Sequence, residues 1–132
     1  IKAGAKLELG GKRQGAYFEP TVLTNVTEKM PVFNEETFGP ALSVTTFKTI
    51  EEAVALSNNS KFGLGVSLFT KNIASAEKLA FQFDEGAVFI NELVKSDPRL
   101  PFGGIKQSGY GRELSEHGIR EFMNRKTVFI TK

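Results

Sequence analysis

Two apolar rhythms alternate along the chain. Ala41 to Phe47, ALSVTTF, is β-branched and apolar without helical spacing, and Pro40 fixes its entrance, so a strand is expected. Directly after it, Ile50, Ala53, Val54 and Ser57 recur at helical spacing. Thr49 and Glu52 open this helix as a capping box, and the run NNS with Gly63 stops it. The alternation then repeats. Gly65 to Thr70 reads as a second strand, and Asn72 can cap a helix whose face is Ala76, Leu79, Ala80 and Phe83. Gly86 to Asn91, GAVFIN, is continuously apolar, as a strand covered on both faces requires.

The flanks are less regular. Gly10, Gly11 and Gly15 punctuate a loop ahead of an extended arm, Tyr17 to Val26, in which Pro20 demotes any strand to an edge. Between Glu92 and Gly111 lie Pro98, Pro101, Gly103, Gly104, Gly109 and Gly111. These are too many breakers for a regular element, and ordered loops of this length usually carry function. Leu114, Ile119, Phe122 and Met123 mark a last helix, with Arg112 and Glu113 at its start, where Glu113 suits the positive helix end. Lys126 to Lys132, KTVFITK, reads as a terminal strand free to pair with another subunit. Strands separated by helices predict an α/β fold, a three-layer α/β/α arrangement with a mostly parallel sheet.

Composition narrows the partners. With 132 residues, 40% of them apolar, one core of ordinary size is expected. The 17 basic and 15 acidic residues nearly cancel and are interspersed, so no field attracts nucleic acid or anionic lipid. The longest apolar stretches fall far short of the roughly 20 residues that cross a bilayer, so a soluble protein is expected. No basic, apolar leader opens the chain, and Ile1 is not a natural start residue, which fits a missing upstream part. The absence of cysteine removes disulfides, thiolate ligands and cysteine nucleophiles from this chain. The single histidine, His117, cannot build a histidine metal site and is expected on an exposed helix face, so no metal is expected.

Two phosphate-binding patterns fail on inspection. Gly104 and Gly109 have P-loop spacing, but Tyr110 stands where the lysine must be. Gly109 and Gly111 are followed by Leu114 rather than the third glycine of a dinucleotide fingerprint. Neither fingerprint is therefore present in this chain.

Three segments, GAYFEPTVL at 15 to 23, NEETFGP at 34 to 40 and LPFGGIKQSGYGRE at 100 to 113, together resemble the aldehyde dehydrogenase superfamily over essentially the whole chain. The resemblance implies the C-terminal part of the catalytic domain in residues 1–125 and the strand used for subunit assembly in 126–132, giving a homo-oligomer, dimer or tetramer. The implied parent is a cytoplasmic enzyme that oxidises an aldehyde with NAD or NADP: a cysteine thiolate attacks the carbonyl, a hydride leaves to the cofactor, and water releases the acid. Nucleophile, general base and most cofactor contacts would precede Ile1, so the chain alone is expected to be inactive.

The family pattern Glu-x-Phe-Gly-Pro falls on Glu36, Phe38, Gly39 and Pro40. The resemblance thus implies cofactor contacts at Glu36, whose carboxylate can accept two hydrogen bonds from a ribose diol, and at Phe38, a flat wall for the nicotinamide. The competing reading is a solvated acidic loop with Phe38 simply packed. ELGGK at 8 to 12 resembles the family's general-base segment, but RQGAYFEPTVL follows it, so Glu8 receives no catalytic role.

Phe102 matches a residue bordering the substrate tunnel, against the alternative of plain core. INELVKSDPRLPFGG looks most like the succinate-semialdehyde dehydrogenase branch, where a serine six residues before that phenylalanine helps hold the substrate's distal carboxylate; Ser96 matches it. A lone hydroxyl cannot neutralise a carboxylate, so arginine partners are expected from outside the segment. Asp97 would oppose an anionic tail and Arg99 favour one, and both read equally as solvent-facing loop charges. The alternative function is a catalytically inactive, stand-alone assembly module.

Overall fold

The computed structural model describes residues 1–132, which divide into two units, Ile1–Ser60 and Lys61–Lys132. The first contains β1 (Lys6–Leu9), β2 (Arg13–Gln14), β3 (Tyr17–Phe18), β4 (Thr21–Thr24), α1 (Pro31–Asn34), β5 (Ala41–Ser43) and α2 (Ile50–Asn58). A three-stranded sheet has the order β1-β4-β5, with β1 antiparallel and β5 parallel to the central β4. β2 and β3 form a separate antiparallel hairpin.

Pro20 therefore introduces a central strand, not an edge. Its missing donor lies one residue outside the pairing, and the first ladder donor, Thr21 N–H, bonds the Pro40 carbonyl at 2.8 Å. The strand expected over 41–47 is paired only to Ser43. Val44 N–H still donates to the Leu23 carbonyl at 2.8 Å, but β4 has ended and Asn25 turns the chain in the left-handed region at φ 53°.

α2 begins where the capping pattern places it. Thr49 Oγ1 accepts from Glu52 N–H at 3.2 Å, and the Glu52 carboxylate reaches back to Lys48 N–H at 2.7 Å, one residue before the cap. β1, the β2–β3 hairpin and the one-turn α1 are elements that the apolar pattern does not announce.

The second unit contains β6 (Phe62–Gly63), β7 (Val66–Leu68), α3 (Ile73–Ala80), β8 (Val88–Ile90), β9 (Ile105–Lys106) and α4 (Ser115–Glu121). β7 and β8 pair in parallel with α3 as the connection, Val66 opposite Val88 and Leu68 opposite Ile90. Asn72 caps α3 by accepting from Ser75 N–H at 3.1 Å. β6 and β9 pair antiparallel, so the stretch 92–111 is not wholly irregular.

α4 starts later than expected. Leu114 and Ser115 have φ of 64° and 53°, a backbone that cannot continue a helix backwards into Arg112 and Glu113. Glu113 is instead bridged to Phe102, and Glu116 is the acidic residue of the first turn. His117 is exposed on α4. Residues 124–132 belong to no helix or strand: the expected strand over 126–132 has no ladder partner within the chain, and Val128, Phe129 and Ile130 are exposed.

The core is smaller than the composition promises. Ala5, Val26 and Met30 form its one buried cluster, with Leu23, Val32 and Phe33 packed against it, and only Val54 and Ala76 are buried elsewhere among the apolar residues. Strands of two to four residues in sheets of two or three strands leave most apolar side chains with one face in solvent. No helix is long and apolar enough to cross a membrane.

Because so little is buried, the caps carry an unusual share of helix stability. Replacing Thr49 or Asn72 by Ala is expected to cost about 1 kcal/mol each, and Thr49→Ser much less. Urea unfolding followed by circular dichroism measures this, and a neutral Thr49→Ala would contradict the assignment.

Candidate cofactor and substrate loops

In the first unit, the segment after α1 is tied at both ends. Glu35 N–H closes α1 on the Pro31 carbonyl at 2.7 Å, and the Asn34 amide donates to the Glu28 carbonyl. Downstream, Gly39 N–H bonds the Thr37 carbonyl at 2.9 Å and Ala41 N–H the Gly39 carbonyl at 2.8 Å, two tight turns leading into β5. Between these anchors Glu36 and Phe38 are exposed, the Phe38 residue at 95%. A ring this exposed is not packed core. An open carboxylate and an open ring two residues apart can offer acceptors to a diol and a flat surface to a heterocycle.

Glu8 lies on β1 at the register irregularity between Leu7 and Leu9, two residues beyond Lys6, which is the residue opposite Thr24 of β4. Its Oε1 accepts from Thr24 Oγ1 at 2.7 Å and meets Lys6 Nζ at 2.9 Å, and the Thr24 hydroxyl, then Lys6, hold its pKa below the ordinary value. It is engaged in strand pairing. A groove of about 710 Å³ in this unit is lined by Val26, Thr45, Leu56, Asn25, Glu28 and Asn59 among others; Glu36 and Phe38 are not part of its wall.

In the second unit, Ser96 and Phe102 share the connection that leaves β8. Asn91, at φ 56°, ends the strand, and its side-chain amide accepts from Thr70 N–H and donates to the Thr70 carbonyl, both at 2.8 Å. One side chain thereby adds a two-bond rung beyond the backbone pairing of β7 and β8. Ser96 follows, exposed, between two ion pairs: Lys95 with Glu92 at 2.7 Å, and Arg99 with Asp97. Arg99 donates to both Asp97 oxygens, Nε at 2.9 Å and Nη2 at 2.7 Å, and its own N–H bonds Asp97 Oδ1 at 2.9 Å. These bonds hold the Asp97 carboxyl far below the carboxylate range and push the Arg99 guanidinium up. Leu100 N–H closes the turn on the Asp97 carbonyl, and Ser115 N–H ties the Pro98 carbonyl, each at 3.0 Å.

Phe102 is half-buried and held through its backbone. Its N–H bonds the Glu113 carbonyl at 2.9 Å, and its carbonyl accepts Glu113 N–H at 2.8 Å. Arg112 Nη1 donates to the carbonyls of Gly104 at 3.1 Å and Gly111 at 2.7 Å, drawing the two ends of the glycine loop together. Ser108 Oγ accepts Gly63 N–H at 3.0 Å. Ser108 is a positioning residue that sequence reasoning missed; its place in the GGIKQSGYG run gave no signal, because its partner lies 45 positions away. At the entrance to β8, a Cβ on Gly86 would lie 1.9 Å from the Gly103 carbonyl oxygen, so the two backbones touch.

Parallel strand pairs joined through helices, with open side chains on loops anchored at the strand ends, define an α/β fold. Residues 1–128 match the aldehyde dehydrogenase family, and the chain belongs to it. It is 50% identical to a protein of Synechocystis sp. named a probable NADP(+) succinate-semialdehyde dehydrogenase, over 98% of this chain and 29% of that one. It is 47% identical to the succinate semialdehyde dehydrogenase Sad, NAD(P)+ type, of Escherichia coli K12, over 98% of this chain and 29% of the relative. Among solved structures, that of Gox0499, described as giving insight into cofactor and substrate selection, superposes with a TM-score of 0.91 at 50% identity over 98% of this chain and 29% of its own. The aldehyde dehydrogenase of Mycobacterium tuberculosis complexed with NAD+ gives 0.90 at 36% identity over 98% and 28%. The fold is thus the mixed α/β of the aldehyde dehydrogenase catalytic domain, as expected from the sequence, and the chain spans 29% of the length of these curated relatives.

A Gly86→Ala substitution sets a methyl against backbone, which cannot yield as a side-chain tip does. It is expected to destabilise the second unit by about 1–3 kcal/mol. Hydrogen exchange should show protection lost first at the Phe102 and Glu113 amides; unchanged protection there would contradict the close approach.

Proposed function

We propose that this chain supplies the nicotinamide-ribose and substrate-tunnel contacts of an NAD(P)-dependent aldehyde dehydrogenase that oxidises an aldehyde to a carboxylic acid, of the succinate-semialdehyde type. The supporting observation is the loop on which Glu36 and Phe38 stand open between two anchored turns. Its donor and acceptor chemistry fits a nicotinamide nucleotide: a carboxylate for the ribose hydroxyls and a ring face for the base. When bound, the nicotinamide takes up the hydride released as the aldehyde is oxidised. Glu36 orients the ribose by accepting its hydroxyl hydrogens, and Phe38 limits the positions open to the neighbouring ring, which favours near-attack geometry. Phe102 contributes wall to the substrate tunnel, and Ser96 donates its hydroxyl hydrogen to the substrate's distal carboxylate.

The chain contains no cysteine, so in this reading the nucleophile comes from the remainder of the enzyme. The names of the relatives support either NAD or NADP. A cytoplasmic homo-oligomer, dimer or tetramer, assembled through residues 126–132, completes the reading. The exposed Val128, Phe129 and Ile130 favour one further possibility, an assembly module without catalysis.

The isolated chain, given succinic semialdehyde and NAD or NADP, is expected to form no NAD(P)H; turnover would overturn the division of labour. In the complete enzyme carrying this segment, Glu36→Gln should raise KM for the cofactor roughly tenfold to a hundredfold, the effect of removing a charged hydrogen-bond acceptor. An unchanged KM, with a stable oligomer of the isolated chain by size exclusion, would favour the assembly module.

A further inference from the structure

Arg13, Arg99, Arg120 and Arg125 are exposed, whereas Arg112 is half-buried. A cation withdrawn from water is ordinarily paired with a carboxylate, yet none of the ion pairs of the chain includes Arg112. Its Nη1 is committed instead to two backbone carbonyls, Gly104 at 3.1 Å and Gly111 at 2.7 Å. Bonds from a charged donor are stronger than those between neutral groups, so this clip is a firm one.

The clip lies next to Phe102. Gly103 and Gly104 follow the ring, and neither has a side chain that packing could hold. The Arg112 stem runs over the first of them: a Cβ on Gly103 would meet Arg112 Cδ at 3.3 Å and the Gly111 carbonyl oxygen at 2.8 Å. The guanidinium holds the second through its carbonyl. On the other side of Gly103, Phe102 exchanges both backbone bonds with Glu113, and Glu113 in turn rests on α4, where a Cβ on Gly118 would approach its carbonyl carbon to 2.8 Å. Residues 102–104 are therefore joined to 111–113 twice, by backbone at Phe102 and by a side chain at Gly104. A single bridge acts as a pivot about which the ring can swing; a second attachment beyond Gly103 removes that freedom.

We propose that Arg112 is a positioning residue for aldehyde oxidation: acting through Gly103 and Gly104, it fixes the angle at which Phe102 presents its ring to the substrate. The proposal rests on reading Phe102 as a wall of the substrate tunnel. A wall that swings lets the aldehyde lie off the line of attack, which lowers kcat/KM for the aldehyde. Contacts to the cofactor at Glu36 and Phe38 belong to the other unit and are untouched by the clip.

The test is a double-mutant cycle in the complete enzyme carrying this segment, with succinic semialdehyde as substrate. Arg112→Gln is expected to lower kcat/KM for the aldehyde by about tenfold to a hundredfold, with KM for NAD or NADP unchanged. In a Phe102→Ala background the same substitution should cost about twofold or less, because the ring through which it acts is gone. Arg112→Lys should lose less than Arg112→Gln, since it keeps a charged donor but not the planar fork. If Arg112→Gln costs the same factor in both backgrounds while Phe102→Ala alone lowers kcat/KM, Arg112 does not act through the ring: the proposal falls and the tunnel reading stands. If Arg112→Gln raises the aldehyde and cofactor KM alike, its effect is general and the proposal falls. If Phe102→Ala leaves kcat/KM unchanged, the proposal and the tunnel reading fall together. Should Arg112→Gln not fold, Arg112→Lys is carried through the same cycle and judged by the same criteria.

Discussion

The second unit is organised around a place where two backbones meet without side chains between them. Gly86 opens β8, and Gly103 lies in the loop that follows Phe102; any Cβ on Gly86 would fall inside the Gly103 carbonyl. Gly86 N–H also bonds the Gly63 carbonyl at 3.1 Å, and Gly63 N–H bonds Ser108. Strand entrance, β6 and glycine loop are thus fixed at one crossing. Phe102 owes its position to this crossing together with the backbone pair to Glu113, because a half-buried ring has little packing of its own to hold it.

The candidate site residues are held by backbone hydrogen bonds and ion pairs far more than by a core. Glu36 and Phe38 stand between the end of α1 and the turns into β5; Ser96 stands between Asn91 and the Asp97 turn. Such anchoring suits residues that must stay uncovered. A side chain buried for stability is unavailable to a ligand, whereas a loop fixed at its ends can present polar and aromatic groups without spending them on packing.

Much of the regular structure could be read from local chemistry. Thr49 with Glu52, and Asn72 with Ser75, cap the two helices where the apolar spacing begins, and 41–43, 66–68 and 88–90, each inside a run expected to be a strand, are the paired segments. What escaped depends on partners distant in sequence. β1, KLEL, alternates charged and apolar residues over only four positions, too short a run to stand out before its pairing with β4 is seen. Pro20 argued for an edge because its own missing donor is visible in sequence, while the parallel pairing that begins one residue later is not. Arg112 and Glu113 suggested a helix start; the left-handed backbone at Leu114 and Ser115, which has no residue signature, released both for the glycine loop and the Phe102 bridge. The candidate site residues Glu36, Phe38, Ser96 and Phe102 were visible as motif positions, whereas the fork between Asp97 and Arg99, formed by residues two apart in a proline turn, is a matter of rotamers that spacing does not encode.

The rung between Asn91 and Thr70 makes the end of the parallel pair chemically mortal. Conversion of Asn91 to aspartate would keep the backbone conformation accessible, since aspartate visits the left-handed region as asparagine does. It would keep the acceptor for Thr70 N–H, yet replace the donor to the Thr70 carbonyl with a second anionic oxygen, turning attraction into repulsion at 2.8 Å. An ageing lesion of a single atom would thus unfasten the strand end from which the Ser96 loop departs.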